Sequence, residues 1–61
     1  MSLSDKRKTA GFTQNDLAEI LCIDRSTIAK WETGQAYPRA ALLPKIAQVL
    51  GCTVDELLQE Q

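Results

Sequence analysis

Side chains that can hydrogen-bond to nucleic-acid bases recur at helical spacing within residues 25–33 of this 61-residue chain. Arginine and lysine can bond guanine O6 and N7, serine can bond either base type, and an alanine methyl can touch thymine. On a helix these types share the face opposite Ile28 and Trp31, and they comprise Arg25, Ser26, Ala29, Lys30 and Thr33. The same pattern is typical of an ordinary solvated helix face, and this second interpretation stays open at this point.

Two short helices joined by a tight turn must position that face. Thr13 is predicted as the N-cap of the first of them, 14–21, and Asp16 three residues later completes a capping box. Asp24 is predicted to cap the second helix, 25–33. Because the connection is so short, the two helices must cross at a steep angle.

The rest of the chain predicts three more helices and no strand. Glycine favours helix ends, and it occurs where three helices should stop, at Gly11, Gly34 and Gly51. The first helix is expected over 4–10. Pro44 is tolerated only in a first turn, so the fourth helix should begin within 40–43. Thr53 and Glu56 form another capping box for the fifth. Residues 1–4 carry no motif, and one interpretation is that they are partly a leader.

Apolar side chains at helical spacing predict a single core. Packing is the ordinary role for every one of them, and Trp31 is interpreted as a core wedge rather than a base-stacking platform. The predicted core comprises Leu17, Ala18, Leu21, Ile23, Ile28, Trp31, Leu43, Ile46, Ala47, Leu50, Val54, Leu57 and Leu58.

Length and composition argue against several classes of protein. One small domain, 1–61, is too short for an enzyme cleft, and no nucleophile is paired with a base, so we expect neither catalytic residues nor a small-molecule substrate. Without histidine, and with Cys22 and Cys52 lacking paired spacing, no metal or cofactor is expected. The thiols are interpreted as free, and a disulfide between the two is the less favoured alternative. No signal peptide or long apolar run occurs, so we expect a cytoplasmic protein that does not enter a membrane.

The net charge of −1 is unusual for a nucleic-acid-binding domain, but the charges are unevenly distributed. All seven basic residues lie at or before Lys45, whereas Asp55, Glu56 and Glu60 leave the end of the chain acidic. A modestly basic face combined with an acidic end predicts that a monomer binds DNA weakly.

An ordered set of residues resembles the lambda-repressor-like family of Cro or XRE type. The set consists of Gln14, Leu17-Ala18, Ser26-Thr27-Ile28, Trp31-Glu32, Gly34, Pro38, Ile46-Ala47, Leu50-Gly51 and Val54-Asp55-Glu56-Leu57-Leu58. The resemblance covers about 5–58. It implies a compact all-α five-helix domain whose helix-turn-helix, 13–34, places its second helix in the major groove of double-stranded DNA. The implied function is sequence-specific transcriptional regulation, with repression as the expected direction.

The resemblance also assigns roles to residues around the base-reading helix. Gln14 is expected to bind the DNA backbone beside it, and Thr27, near the helix N-terminus, suits a phosphate. Residues flanking the following loop are expected on the other side of the groove, namely Thr33, Gln35, Tyr37 and Arg39. Tyr37 can alternatively pack on Pro38. Arg7 is expected to pair with Glu32, the alternative being a free basic residue in the cluster 6–8.

Two residues depart from the family pattern. Cys22 stands where the turn usually carries glycine, which adopts positive φ without strain, so the turn should either cost about 1 kcal/mol or relax. Ile20 is apolar where the family is usually polar, and it is either a stray surface residue or a partner contact.

Two further expectations concern partners. A weak monomer favours a homodimer on a palindromic operator, with an apolar contact surface comprising Leu50, Cys52, Val54 and Leu58. The alternative function is a protein-interaction module, such as an antitoxin or a bridging factor, that uses the same fold to contact a protein.

Overall fold

Five α-helices follow one another in the computed structural model, which describes residues 1–59. They are α1 (Leu3–Thr9), α2 (Gln14–Leu21), α3 (Arg25–Thr33), α4 (Leu43–Leu50) and α5 (Val54–Leu58), and a 3₁₀ turn, Ala40–Leu42, leads into α4. No strand occurs within 1–59, so the all-α prediction is confirmed. The predicted bounds of α2 and α3 are those observed, and α1 lies one residue nearer the N-terminus than predicted. Glu60, part of the expected acidic end, lies outside the described residues.

Two capping boxes begin α2 and α5 as predicted. The Thr13 hydroxyl accepts a hydrogen bond from the Asp16 backbone N–H at 3.0 Å, and the Asp16 carboxylate accepts one from the Thr13 N–H at 3.0 Å. Thr53 and Glu56 repeat the arrangement, with distances of 3.1 Å and 2.9 Å. The N–H of Thr53 stabilises the charged carboxylate and so lowers the pKa of Glu56. Both helix starts are therefore determined locally.

The start of α3 differs from the prediction in one respect. Asp24 is the N-cap, with extended backbone, and its carbonyl accepts the Thr27 N–H at 3.0 Å. Its side chain makes no capping hydrogen bond, so the prediction of a side-chain cap was wrong. Because this carboxylate is exposed, water can satisfy it, and the backbone bond alone begins the helix.

The turn between α2 and α3 keeps the left-handed geometry that glycine usually provides. Cys22 has φ 59° and ψ 44°, and the following N–H, of Ile23, donates to the carbonyl of Ala18 at 2.9 Å. Of the two expected outcomes the turn has therefore kept its geometry rather than relaxed. A non-glycine residue in this conformation costs on the order of 1 kcal/mol.

The core joins all five helices and includes one residue that the sequence pattern missed. The side chains that are buried are Leu3, Leu17, Ala18, Leu21, Ile28, Trp31, Ile46, Ala47, Leu50 and Leu57. Three predicted core residues are only partly buried but pack against this cluster, namely Ile23, Leu43 and Val54. Leu58 is half-buried and outside the cluster. Since one residue turns the helix by about 100°, placing Leu57 inward rotates its neighbour away.

The N-terminal residues belong to the fold. The Ser2 N–H donates to the carbonyl of Leu57 at 3.0 Å, and the Ser2 hydroxyl donates to the carbonyl of Glu56 at 3.0 Å. Leu3 is fully buried. Ser2 and Leu3 therefore close the core against the end of α5. The spacing of Leu3 and Arg7, four residues apart on one helical face, was the missed signal.

We expect Cys22→Gly to stabilise the domain by about 0.5–1 kcal/mol, since glycine removes the left-handed strain at a smaller cost in chain entropy. Thermal unfolding followed by circular dichroism should show a midpoint raised by a few degrees. Cys22→Ala is the matched control, because it removes the thiol and keeps the strain, and its midpoint should not rise. An equal rise in both variants would trace the gain to the thiol rather than to the backbone.

Candidate nucleic-acid interface

The crossing of α2 and α3 orients the face that carries the candidate base-reading residues. Leu17 and Leu21 of α2 lie in the same core cluster as Ile28 and Trp31 of α3. Burying one side of α3 leaves its opposite side in solvent. Helical periodicity thus sets which α3 side chains share the outer face, and the packing of α2 against α3 sets how that face is oriented.

The accessible face of α3 carries positive charge and hydrogen-bond donors. Arg25, Ser26 and Lys30 are exposed, and Ala29 between them is half-buried. Within residues 1–59 no hydrogen bond or ion pair engages the side chains of Arg25, Ser26 or Lys30. Thr27 is half-buried beside the start of the helix. These groups are free to meet a partner without breaking internal bonds.

Thr33 is less available than the sequence suggested. Its hydroxyl donates to the carbonyls of Ala29 and Lys30, at 3.1 and 3.3 Å. A hydroxyl has one hydrogen, which here stays within the helix. Thr33 must therefore rotate before it can donate to a phosphate.

The loop after α3 presents three of the expected contact residues to solvent. Gln35, Tyr37 and Arg39 are exposed, and Tyr37 keeps 60% of its surface accessible. Pro38 between them is buried and anchors the loop. The backbone N–H of Gln35 donates to the carbonyl of Lys30 at 2.9 Å, which fixes where the loop leaves the helix.

A buried ion pair joins α1 to α3. Arg7 Nε lies 2.6 Å from Glu32 Oε2, and Arg7 Nη2 donates to Glu32 Oε1 at 3.4 Å. The two side chains are 9% and 8% exposed. Arg7 Nη1 also donates to the carbonyl of Phe12 at 2.7 Å, just before α2. Three segments of the fold therefore converge on one guanidinium group.

Gln14 takes part in the same network, which the sequence did not reveal. Its amide Nε2 donates to Glu32 Oε1 at 2.9 Å. The expected backbone-binding residue and the ion pair, treated separately in the sequence, thus form one hydrogen-bonded group. No spacing rule links residues on different helices, so only the structure brings them together.

The described residues offer few features that would suit another kind of site, such as a reactive thiol, a metal site or a membrane-spanning helix. Both Cys22 and Cys52 carry free thiols, and burial raises the pKa of the Cys52 thiol. Among the described residues no three His, Cys, Asp or Glu side chains are grouped to hold a metal ion. None of the helices within 1–59 has the length and apolar character that crossing a membrane requires.

Comparison with known proteins agrees with this geometry. The sequence model of the helix-turn-helix family matches residues 3–57. The chain belongs to this family, as its resemblance to Cro-type domains predicted. This family and the transcriptional regulators similar to the chain point to a DNA-binding regulator rather than an enzyme.

Three curated relatives show how far the similarity extends. The HTH-type transcriptional activator BcrR of Enterococcus faecalis is 41% identical over 56 residues, which are 92% of this chain and 28% of the relative. The SPbeta prophage-derived HTH-type transcriptional regulator YonR of Bacillus subtilis is 36% identical, over 87% of this chain and 49% of the relative. YazB, another HTH-type transcriptional regulator of Bacillus subtilis, is 39% identical over 84% of this chain and 74% of the relative. The chain thus spans less than two thirds of the first two relatives. No solved structure matches it significantly.

We expect Arg7→Ala and Glu32→Ala each to destabilise the fold by about 3–5 kcal/mol, because each leaves a buried charge without its partner. Urea unfolding followed by circular dichroism measures the loss. Lys8→Ala, at an exposed position of the same helix, serves as the control and should unfold like the parent. Unfolding midpoints equal to the parent's in both ion-pair variants would show that the pair contributes nothing to stability.

Proposed function

We propose that this domain binds a specific double-stranded DNA sequence and regulates transcription, with α3 lying in the major groove. The observation that supports the proposal most directly is the accessible α3 face. Arg25, Ser26 and Lys30 are exposed there, and their polar atoms are not engaged by other described residues. A helix of this kind, preceded by a tight turn and a crossing helix, suits major-groove recognition.

The proposal divides the contact residues into two groups. Arg25 and Lys30 would bond guanine edges, Ser26 would bond a base of either type, and Ala29 would contact a thymine methyl. The remaining residues would contact the sugar-phosphate backbone and set the register of α3, and they comprise Gln14, Thr27, Thr33, Gln35, Tyr37 and Arg39. The exposure of Tyr37, at 60%, favours a phosphate contact over packing on Pro38.

We further propose a homodimer on a palindromic operator. The net charge of −1 and the small basic face give one domain little attraction for phosphate at physiological salt. The contact surface must be narrower than the sequence suggested, because Leu50 is only 7% exposed and serves the core. Leu58, half-buried and outside the core cluster, is the best remaining apolar contact, with Cys52 and Val54 beside the core.

The direction of regulation and the cellular location complete the proposal. Occupying an operator blocks polymerase without a further activity, so we keep repression as the proposed direction, although the relative BcrR is named as an activator. A reporter gene behind the selected operator decides between the two. A cytoplasmic location follows from the proposed DNA target.

A protein-interaction module, of antitoxin or bridging type, is the second candidate. Two observations favour it, namely the net charge of −1 and the exposure of Ile20 on α2, at 39%. An apolar residue held in solvent at this level suits a protein contact. Binding to one duplex that weakens with salt would favour DNA, whereas binding insensitive to DNA sequence would favour this alternative.

We expect Arg25→Ala to weaken binding to the selected duplex by about 1–3 kcal/mol and to relax preference at one base position. Gln14→Ala should weaken binding to every sequence by a similar factor, since a phosphate contact carries no sequence information. Selection of duplexes from a random pool, followed by titration, measures both effects. Lys45→Ala, at an exposed residue of α4, is the charge-matched control. Sequence-blind losses in Arg25→Ala, Lys30→Ala and Gln14→Ala alike would reject the division of roles.

We expect two copies of the chain on each selected duplex, with half-sites about one helical turn apart. Sedimentation of the protein with that duplex measures the stoichiometry. Leu58→Asp should lower the proportion of doubly occupied duplex, and Ile20→Asp, at the exposed position of α2, is the control. One protein per duplex on a site without two-fold symmetry would contradict the dimer.

A further inference from the structure

The side-chain amide of Gln14 makes one hydrogen bond within residues 1–59 and keeps a second donor hydrogen unused. Its Nε2 donates one hydrogen to Glu32 Oε1 at 2.9 Å. An amide nitrogen has two hydrogens, and its oxygen accepts as well. No second hydrogen bond of this side chain occurs within the described part of the chain, and the residue is only half-buried. One amide hydrogen therefore remains available to an outside acceptor.

The Glu32 carboxylate, which accepts the hydrogen bond from Gln14, is itself fixed by hydrogen bonds from Arg7. Glu32 Oε2 is bound by Arg7 Nε at 2.6 Å, and Oε1 is shared between Arg7 Nη2 and Gln14. Both members of the ion pair are more than nine-tenths buried. The guanidinium charge offsets the carboxylate charge, so the network can lie close to a phosphate without repelling it as a lone glutamate would.

The network connects the expected phosphate contact to the helix that reads bases. Gln14 is the first residue of α2, whereas Glu32 lies on α3, seven residues or about two helical turns after Arg25. The hydrogen bond between Gln14 and Glu32 therefore fixes the position of the Gln14 amide relative to α3, the helix that carries the accessible face. The same bond removes rotational freedom that a free glutamine side chain would lose only on binding.

We propose that Glu32, held by Arg7, is a positioning residue for DNA binding: it fixes the amide of Gln14 so that the second amide hydrogen meets a backbone phosphate. The buried ion pair then acts on affinity as well as on stability. This inference rests on the proposed DNA-binding function. It concerns a contact with the phosphate oxygen, not with a base.

A double-mutant cycle on the selected duplex tests the inference. Glu32→Gln keeps the size of the side chain but replaces one acceptor oxygen with a donor, so Arg7 and Gln14 compete for the oxygen that remains. We expect Gln14→Ala to weaken binding about tenfold. Glu32→Gln should weaken binding of folded protein several-fold, and the double variant should bind no more weakly than Gln14→Ala alone.

Asn15 and Glu19 supply a matched control on the same helix. Asn15 Nδ2 donates to Glu19 Oε2 at 3.2 Å, an exposed amide–carboxylate pair of the same kind. The cycle of Asn15→Ala and Glu19→Gln should show additive effects on DNA binding. Additive losses in the Gln14–Glu32 cycle would overturn the inference while leaving the proposed function intact. Failure of the parent protein to bind any duplex specifically would overturn both.

A measurement on the unaltered protein covers the case in which Glu32→Gln does not fold. In a ¹⁵N-labelled sample, the Gln14 side-chain hydrogen that is bound to Glu32 should exchange with solvent more slowly than the side-chain hydrogens of Asn15. Titration with the duplex should shift one Gln14 hydrogen strongly and the other little. Equal shifts of the two hydrogens, or exchange as fast as that of Asn15, would show that Glu32 does not position the amide.

Discussion

The buried ion pair between Arg7 and Glu32 is the interaction on which the rest of the structure depends. It connects α1 to α3, and through the carbonyl of Phe12 and the amide of Gln14 it also holds the beginning of α2. Removing two charges from water is costly, and only complete hydrogen bonding offsets that cost. Here both carboxylate oxygens are bound, and no buried side-chain polar atom of the described residues lacks a partner. The hydrogen-bonded ion pair thus fixes the relative positions of α1, α2 and α3 around a small core.

A second constraint acts at the turn between α2 and α3. Cys22 adopts left-handed backbone without being glycine, and the strain is tolerated because packing on both sides determines the crossing of the helices. The accessible face of α3 depends on that crossing. The left-handed turn therefore lowers an already small free energy of unfolding in order to orient one helix, whereas the two capping boxes stabilise the helix starts.

Much of the fold could be predicted from the sequence because its signals are local. The bonds between Thr13 and Asp16 and between Thr53 and Glu56 span three residues, so the residue types alone predicted them. Gly34 and Gly51 end their helices for the same kind of reason. The side chain of Asp24 was predicted wrongly, since whether a cap bond forms at an exposed carboxylate depends on competition with water. The burial of Leu3 was missed because its partners, at the end of α5, are far along the chain.

The candidate site also combines features that local sequence signals predicted with features that only contacts between helices determine. The sequence by itself determined which residue types are on the outer face of α3, since helical periodicity follows from the order of the residues, and its family resemblance indicated the pairing of Arg7 with Glu32. Only the tertiary structure decided that Gln14 shares the carboxylate of Glu32, that Thr33 donates within its own helix, and that Leu50 serves the core. These features are interatomic distances and degrees of burial, which depend on how the helices pack against one another. A hydrogen bond between separate helices produces no periodic pattern in the sequence, so it could not be predicted from it.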